Sequence, residues 1–192
     1  MSQPARPPTD LAPLPRRGQR GLTLIELLMV LALLGLLTGL ALPAFSALRE
    51  RSGLAAIQNE LLASLALARS EAIRSRRSVL VCPGDGEATG CRDDGLWHAG
   101  WMSFVDEDGN HRYDPGGDRL LEVHGPVQGL QLVSTAGRPR VRYTADGLST
   151  GSNLSLRVCR RGEAVSAVVL NNSGRARVER DPRDLARLDC PR

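Results

Sequence analysis

Arg16-Arg17-Gly18-Gln19-Arg20-Gly21-Leu22-Thr23-Leu24-Ile25-Glu26-Leu27-Leu28 opens an apolar run that continues to Leu42, and its reading decides where the rest of the chain is placed. As a helix, residues 22–42 rise about 31 Å, close to the hydrocarbon thickness of a bilayer. A secretory signal has a shorter apolar region, about 7–15 residues, that ends in a small-residue cut site. No such site follows here. The arginines stand upstream, so the positive-inside rule keeps residues 1–21 in the cytoplasm and sends the C-terminal part across. One acid, Glu26, sits just inside the run. A carboxylate there is costly without a partner, which marks it as functional.

The 192 residues hold one such segment and one modest globular domain. The formal charge of +4 is unevenly spread: residues 1–21 carry four arginines against Asp10, a net +3, so the remainder is only about +1. A diffuse basic surface is therefore excluded, and any nucleic-acid contact has to come from a local cluster. All basic side chains are arginine; the sequence contains no lysine. Arginine suits phosphate geometry better than lysine does.

Residues 1–20 are rich in Pro and Arg without periodicity and read as a disordered leader. Gly35 and Gly39 have a spacing that lets a neighbouring helix approach closely, although glycine is also simply common in membrane helices. Pro43 removes a backbone donor where the apolar run ends, predicting a kink or local melting. Beyond it, Leu54, Ile57, Leu61, Leu65, Ala68 and Ala72 recur at steps of three and four, the spacing of one buried helix face. One long helix over residues 22–76 follows, with a membrane half at 22–43 and an amphipathic half at 44–76.

Short strand-like runs then alternate with turn signals. The expected strands are Ser78–Cys82, Gly100–Val105, Arg119–Val123, Leu130–Val133, Arg140–Tyr143, Leu154–Cys159, Ala164–Leu170 and Arg175–Glu179. Asp108-Gly109, Pro115-Gly116-Gly117, Asp146-Gly147 and Asn172-Ser173-Gly174 read as turns between them. The fold class is α+β: a long N-terminal helix packed on an antiparallel β-sheet domain at 77–192 that lies in the periplasm and ends in an arginine-containing tail.

Four cysteines in an exported domain suggest disulfides, with three full connectivities open. Cys82–Cys91 with Cys159–Cys190 is the favoured set, the first closing a Gly/Asp-rich loop and the second pinning the C-terminal tail. Zinc, with His98 as a further ligand, is a weak rival, because no CxxC pair is present.

Gly21-Leu22-Thr23-Leu24-Ile25-Glu26 resembles the class III cleavage motif of type IV pilins and pseudopilins. The resemblance implies a prepilin peptidase that cuts between Gly21 and Leu22 and methylates the new N-terminus, leaving Glu26 fifth in the mature chain. The family usually has Phe where Leu22 stands, and Pro43 matches its helix-breaking proline. A new α-amine at Leu22 and an unpaired Glu26 carboxylate on a neighbouring subunit would attract strongly in low dielectric. The implied partners are other pilin or pseudopilin subunits, the peptidase and the inner membrane. Leu67-Ala68-Arg69-Ser70-Glu71-Ala72-Ile73, Val79-Leu80-Val81-Cys82-Pro83, Cys91, and Trp97 through Trp101 are similar to the GspH/FimT group of minor pilins.

That group contains structural pseudopilins of type II secretion filaments and pilins of type IV pili. Some of the latter are implicated in DNA binding during natural transformation through a C-terminal Gly-Arg-x-Arg motif. Gly174-Arg175-Ala176-Arg177 matches that motif, and Arg180 and Arg183 follow. On a strand Arg175 and Arg177 share a face about 6.6 Å apart, comparable to the spacing of successive phosphates. No aromatic lies in the tail, so base stacking is disfavoured and double-stranded DNA is the better-matched partner. The bland reading is protection of an exposed edge strand, with Glu179, Asp181 and Asp184 neutralising the cluster.

Asp106-Glu107-Asp108-Gly109-Asn110, with Asp114 and Asp118, resembles a calcium loop but has His111 where glycine belongs and Gly117 where the bidentate Glu belongs. A solvated hairpin turn is the preferred reading, so no metal is assigned. No HExxH spacing, nucleophile elbow or phosphate-cradling loop appears. Neither an enzyme nor a cofactor is expected.

Overall fold

The computed structural model describes residues 23–86 and 90–191. Two compact units divide the chain, Met1–Ala47 and Leu48–Arg192, and helix α1, Leu24–Ser75, contributes to both. The expected helix is present with ends within two residues of those read from periodicity. The backbone stays helical through position 43, so Pro43 does not melt it. A proline removes one backbone bond, which is small beside the ladder of a 52-residue helix on either side.

In the first unit Thr23 caps the helix, its hydroxyl accepting the Glu26 backbone N–H at 3.3 Å. Glu26 thereby occupies the third helical position, where an acid also offsets the positive helix end. The side chains that follow are bare: Ile25 is 66% exposed and Leu36 64%. At Gly35 and Gly39 nothing else stands within 4 Å of where a Cβ would lie. Among the described residues no helix is long and apolar enough to cross a membrane; the span expected at 22–43 lies partly outside them.

The second unit holds the core. Leu61, Leu65, Ala68 and Ala72 are fully or almost fully buried, with Leu54 and Ile57 packed at the margin, as the three-four spacing requires. Burying each leucine contributes about 1.5–3 kcal/mol. These side chains meet the inner faces of two antiparallel sheets of four strands each. One sheet has the order β3-β2-β1-β5, from Arg119–His124, Trp101–Asp106, Ser78–Pro83 and Val141–Tyr143. The other has the order β4-β6-β7-β8, from Gln131–Val133, Leu154–Arg160, Glu163–Leu170 and Ala176–Glu179. All eight strands lie within one residue of their expected ends. The division into two sheets is new, as are a 3-10 turn at Trp97–Ala99 and a short helix α2 at Pro182–Leu185.

A polar chain fastens α1 to the first sheet. Trp101 Nε1 donates to Ser64 Oγ at 3.0 Å, and Ser64 Oγ is bonded to His124 Nε2 at 3.1 Å. His124 Nδ1 donates to Glu60 at 2.6 Å while its ring stacks on Trp101. The order hydroxyl, imidazole, carboxylate imitates a hydrolase triad. Here Ser64 is 1% exposed and its oxygen already accepts from tryptophan, so it buttresses the core.

Candidate functional site

The C-terminal arginines are positioned by the β7–β8 hairpin. Asn171 staples its turn: its backbone carbonyl accepts the Gly174 N–H at 2.9 Å and its side chain the Arg175 N–H at 3.1 Å. Gly174 has φ +76° and is buried. A Cβ there would run into the Gly147 carbonyl oxygen and stand 3.2 Å from the Tyr143 ring, so glycine is demanded twice over.

β8 is the edge strand of its sheet, paired through Val169↔Arg177 and Leu170↔Ala176. Ala176 and Val178 pack on the core. The period of two sends Arg177 outward from β8, and it is exposed. Arg175 stands one residue before the strand, is exposed as well, and borders a groove beside α1. The neutralisation by Glu179 is partial: its carboxylate lies 3.6 Å from Arg177. The amides of Asp181 and Arg180, more than Arg177 itself, hold that carboxyl below its usual range. No described residue hydrogen-bonds or ion-pairs with the Arg175 guanidinium.

Arg180 and Arg183 lie beyond the end of β8. Arg180 is exposed, and its guanidinium donates to the buried Gln58 side chain at 2.7 Å. Gln58 in turn donates to Ser166 at 2.7 Å, so Arg180 ties the tail to α1. Arg183 lies in the first turn of α2, where its backbone N–H is accepted by Asp181 at 2.9 Å. Its side chain is exposed.

All four cysteines are paired, Cys82 with Cys91 and Cys159 with Cys190, in the favoured connectivity. This removes the thiolates that a zinc site would need. The His98 ring contacts the Leu132 carbonyl instead, at 3.2 Å.

The acidic loop is more convergent than its sequence suggests: carboxylate oxygens of Asp106, Asp108 and Asp118 lie within 4.8 Å of one another. Most are engaged locally. Asp106 accepts from the Gly109 and His111 amides and from His111 Nδ1 at 2.8 Å, and Asp118 from the Glu107 and Asp114 amides. The loop is thus organised by its own backbone.

At the other end, Gly21 and Leu22, the expected cleavage pair, lie outside the described residues. Glu26 is placed in the first turn of a bare apolar helix. The profile of a prokaryotic N-terminal methylation motif matches residues 16–42, and that of the type II transport protein GspH matches residues 58–174. The chain belongs to the GspH family of pilin-like proteins. A relative, "Pilin-like protein PilA1" of Thermus thermophilus, is 33% identical over 84% of this chain and 99% of its own length. The crystal structure of the type IV minor pilin FimU of Pseudomonas aeruginosa PAO1 has the same fold, with a TM-score of 0.51 at 21% identity. It covers 68% of this chain and 90% of its own. As a GspH-family pilin, the protein is a subunit type that assembles with other pilin subunits into a pilus or pseudopilus.

Proposed function

We propose that this GspH-family pilin is a minor subunit of a type IV pilus that captures double-stranded DNA for natural transformation, with no catalytic role. The observation that carries the reading is the pair Arg175 and Arg177, both exposed, one just before the edge strand β8 and one within it. In this account the precursor sits in the inner membrane with its β domain in the periplasm. Prepilin peptidase cuts it between Gly21 and Leu22, and the new amine meets a neighbour's Glu26 during assembly. Two guanidinium forks at phosphate spacing would hold the backbone of a duplex without reading its sequence.

A second reading is a structural subunit of a type II secretion pseudopilus. It is favoured by the GspH match, which ends at Gly174, before either arginine. In that case Arg175 and Arg177 only keep β8 from pairing with another chain. Titration of the full chain in a non-ionic detergent with duplex DNA at several salt concentrations separates the two. Each phosphate contact contributes a salt slope of about −0.9. The Arg175→Gln/Arg177→Gln variant is therefore expected to lose affinity and to flatten the slope by about 2. Equal affinity and slope in both proteins would remove the DNA reading.

A further inference from the structure

Beside the exposed arginine pair, α1 and the β7–β8 turn enclose a groove of about 450 Å³. Its walls are mostly apolar, with Leu62, Ala66 and Ile73 from α1. Four polar residues interrupt them, and one, Ser70, already donates its hydroxyl to the Leu67 carbonyl at 2.9 Å. Tyr143 is fully buried, yet its hydroxyl meets no hydrogen-bond partner among the described residues. Arg69 Nε is likewise buried and without a partner, and no described residue pairs with its guanidinium. Arg175 stands at the rim with its own guanidinium unengaged.

Such an arrangement is expensive unless something fills it. A buried hydroxyl or guanidinium N–H without an acceptor costs the desolvation of that group. Burial pushes the Tyr143 hydroxyl well above its ordinary value, so it remains a donor. Tyr143, Arg69 and Arg175 therefore all offer donors, and no carboxylate lines the groove. The acids in the neighbourhood are committed elsewhere. Glu71 is held by Arg74 and Arg119, and Asp146 accepts from Thr144 and from the Leu148 amide in its own turn. Gly147 and Gly174 leave room beside Arg69: a Cβ on Gly147 would stand 3.2 Å from Arg69 Nε, and one on Gly174 3.3 Å.

We infer that this groove is an oxyanion pocket for a single phosphate group, with Tyr143 and Arg69 as inner donors and Arg175 closing the rim. The identification of that phosphate as one on a DNA strand rests on the DNA reading above; the pocket itself does not. A duplex lying along Arg175 and Arg177 would seat one backbone phosphate in the groove. This makes the contact a socket and not merely an arginine pair on a flat sheet, and it assigns Arg69 and Tyr143 to the interface.

The test uses the full chain in non-ionic detergent with two probes, inorganic phosphate and a duplex oligonucleotide. Phosphate binding is read from the thermal midpoint against chloride at matched ionic strength, and duplex binding from fluorescence anisotropy. Tyr143→Phe keeps the ring and removes only the hydroxyl; Arg69→Gln is the second variant, and no protein hydrogen bond is lost in either. Both are expected to abolish the phosphate-specific rise in midpoint and to weaken duplex binding about tenfold. If duplex binding needs Arg175 and Arg177 but is unmoved by both variants, and phosphate gives no specific rise, the pocket is refuted while the DNA reading stands. If the phosphate rise depends on Tyr143 and Arg69 while duplex never binds, the pocket stands and the DNA reading falls. Silence from both probes overturns both.

Discussion

Replacing Gly174 by alanine tests the hairpin geometry on which the arginine face depends. The residue has φ +76°, a conformation that costs an L-residue about 1–2 kcal/mol. The added methyl would also meet the backbone carbonyl of Gly147, which cannot rotate aside as a side-chain tip could. Overpacking of that kind costs about 1–3 kcal/mol. Alanine recovers about 0.5–1 kcal/mol by restricting the unfolded chain. The net expectation is a loss of about 1–4.5 kcal/mol, or a fall of about 2–18 °C in the midpoint for a domain of this size. Gly137→Ala is the matched control: its φ is +73° and nothing stands within 4 Å of the new methyl. It should cost about 1 kcal/mol or less, from the backbone alone. Urea unfolding followed by tryptophan fluorescence, with disulfides intact, measures both. A Gly174→Ala loss within about 0.5 kcal/mol of the Gly137→Ala loss would refute the close approach of the two turns.

Loop length ranks the disulfides. Removing Cys159–Cys190, with a separation of 31 residues, should cost about 3.7 kcal/mol, against about 2.6 kcal/mol for Cys82–Cys91, with a separation of 9; unfolding of the paired Cys→Ala variants checks the order. Glu71 is held below its ordinary carboxylate value, first by Arg74 and then by Arg119. The stability it contributes is present above the unfolded value of about 4.5 and is lost as pH falls through the lowered folded value, so Glu71→Gln should flatten the acid limb of a stability profile. An unchanged limb would show that other groups set it.

Much of the architecture was legible because it is local. The spacing from Leu54 to Ala72 gave the buried face of α1, and alternation with turn residues placed every strand. The split into two sheets was not legible, since pairing β5 against β1, across the residues that supply β2–β4, is decided by long-range register. The Arg180–Gln58 bond was not legible either, because it joins residues 122 positions apart and nothing local to the tail points to α1.

Arg69 and Tyr143 were missed for a different reason, and it bears on what the tail motif means. Arg69 sits one position past the buried Ala68, at the flank of the apolar stripe, where arginine ordinarily lays its stem on the core and keeps its head in water. Only the approach of two turns, at Gly147 and Gly174, closes around its Nε and brings it beside Tyr143. The glycine of the Gly-Arg-x-Arg stretch thus has two separate jobs: it permits the turn that aims Arg175, and its missing side chain leaves room for Arg69. Arg175 cannot be treated as a free-standing charge, because it borders the groove that holds Arg69. Transplanting residues 174–177 onto another hairpin without the Arg69 groove would reproduce their spacing but not their socket.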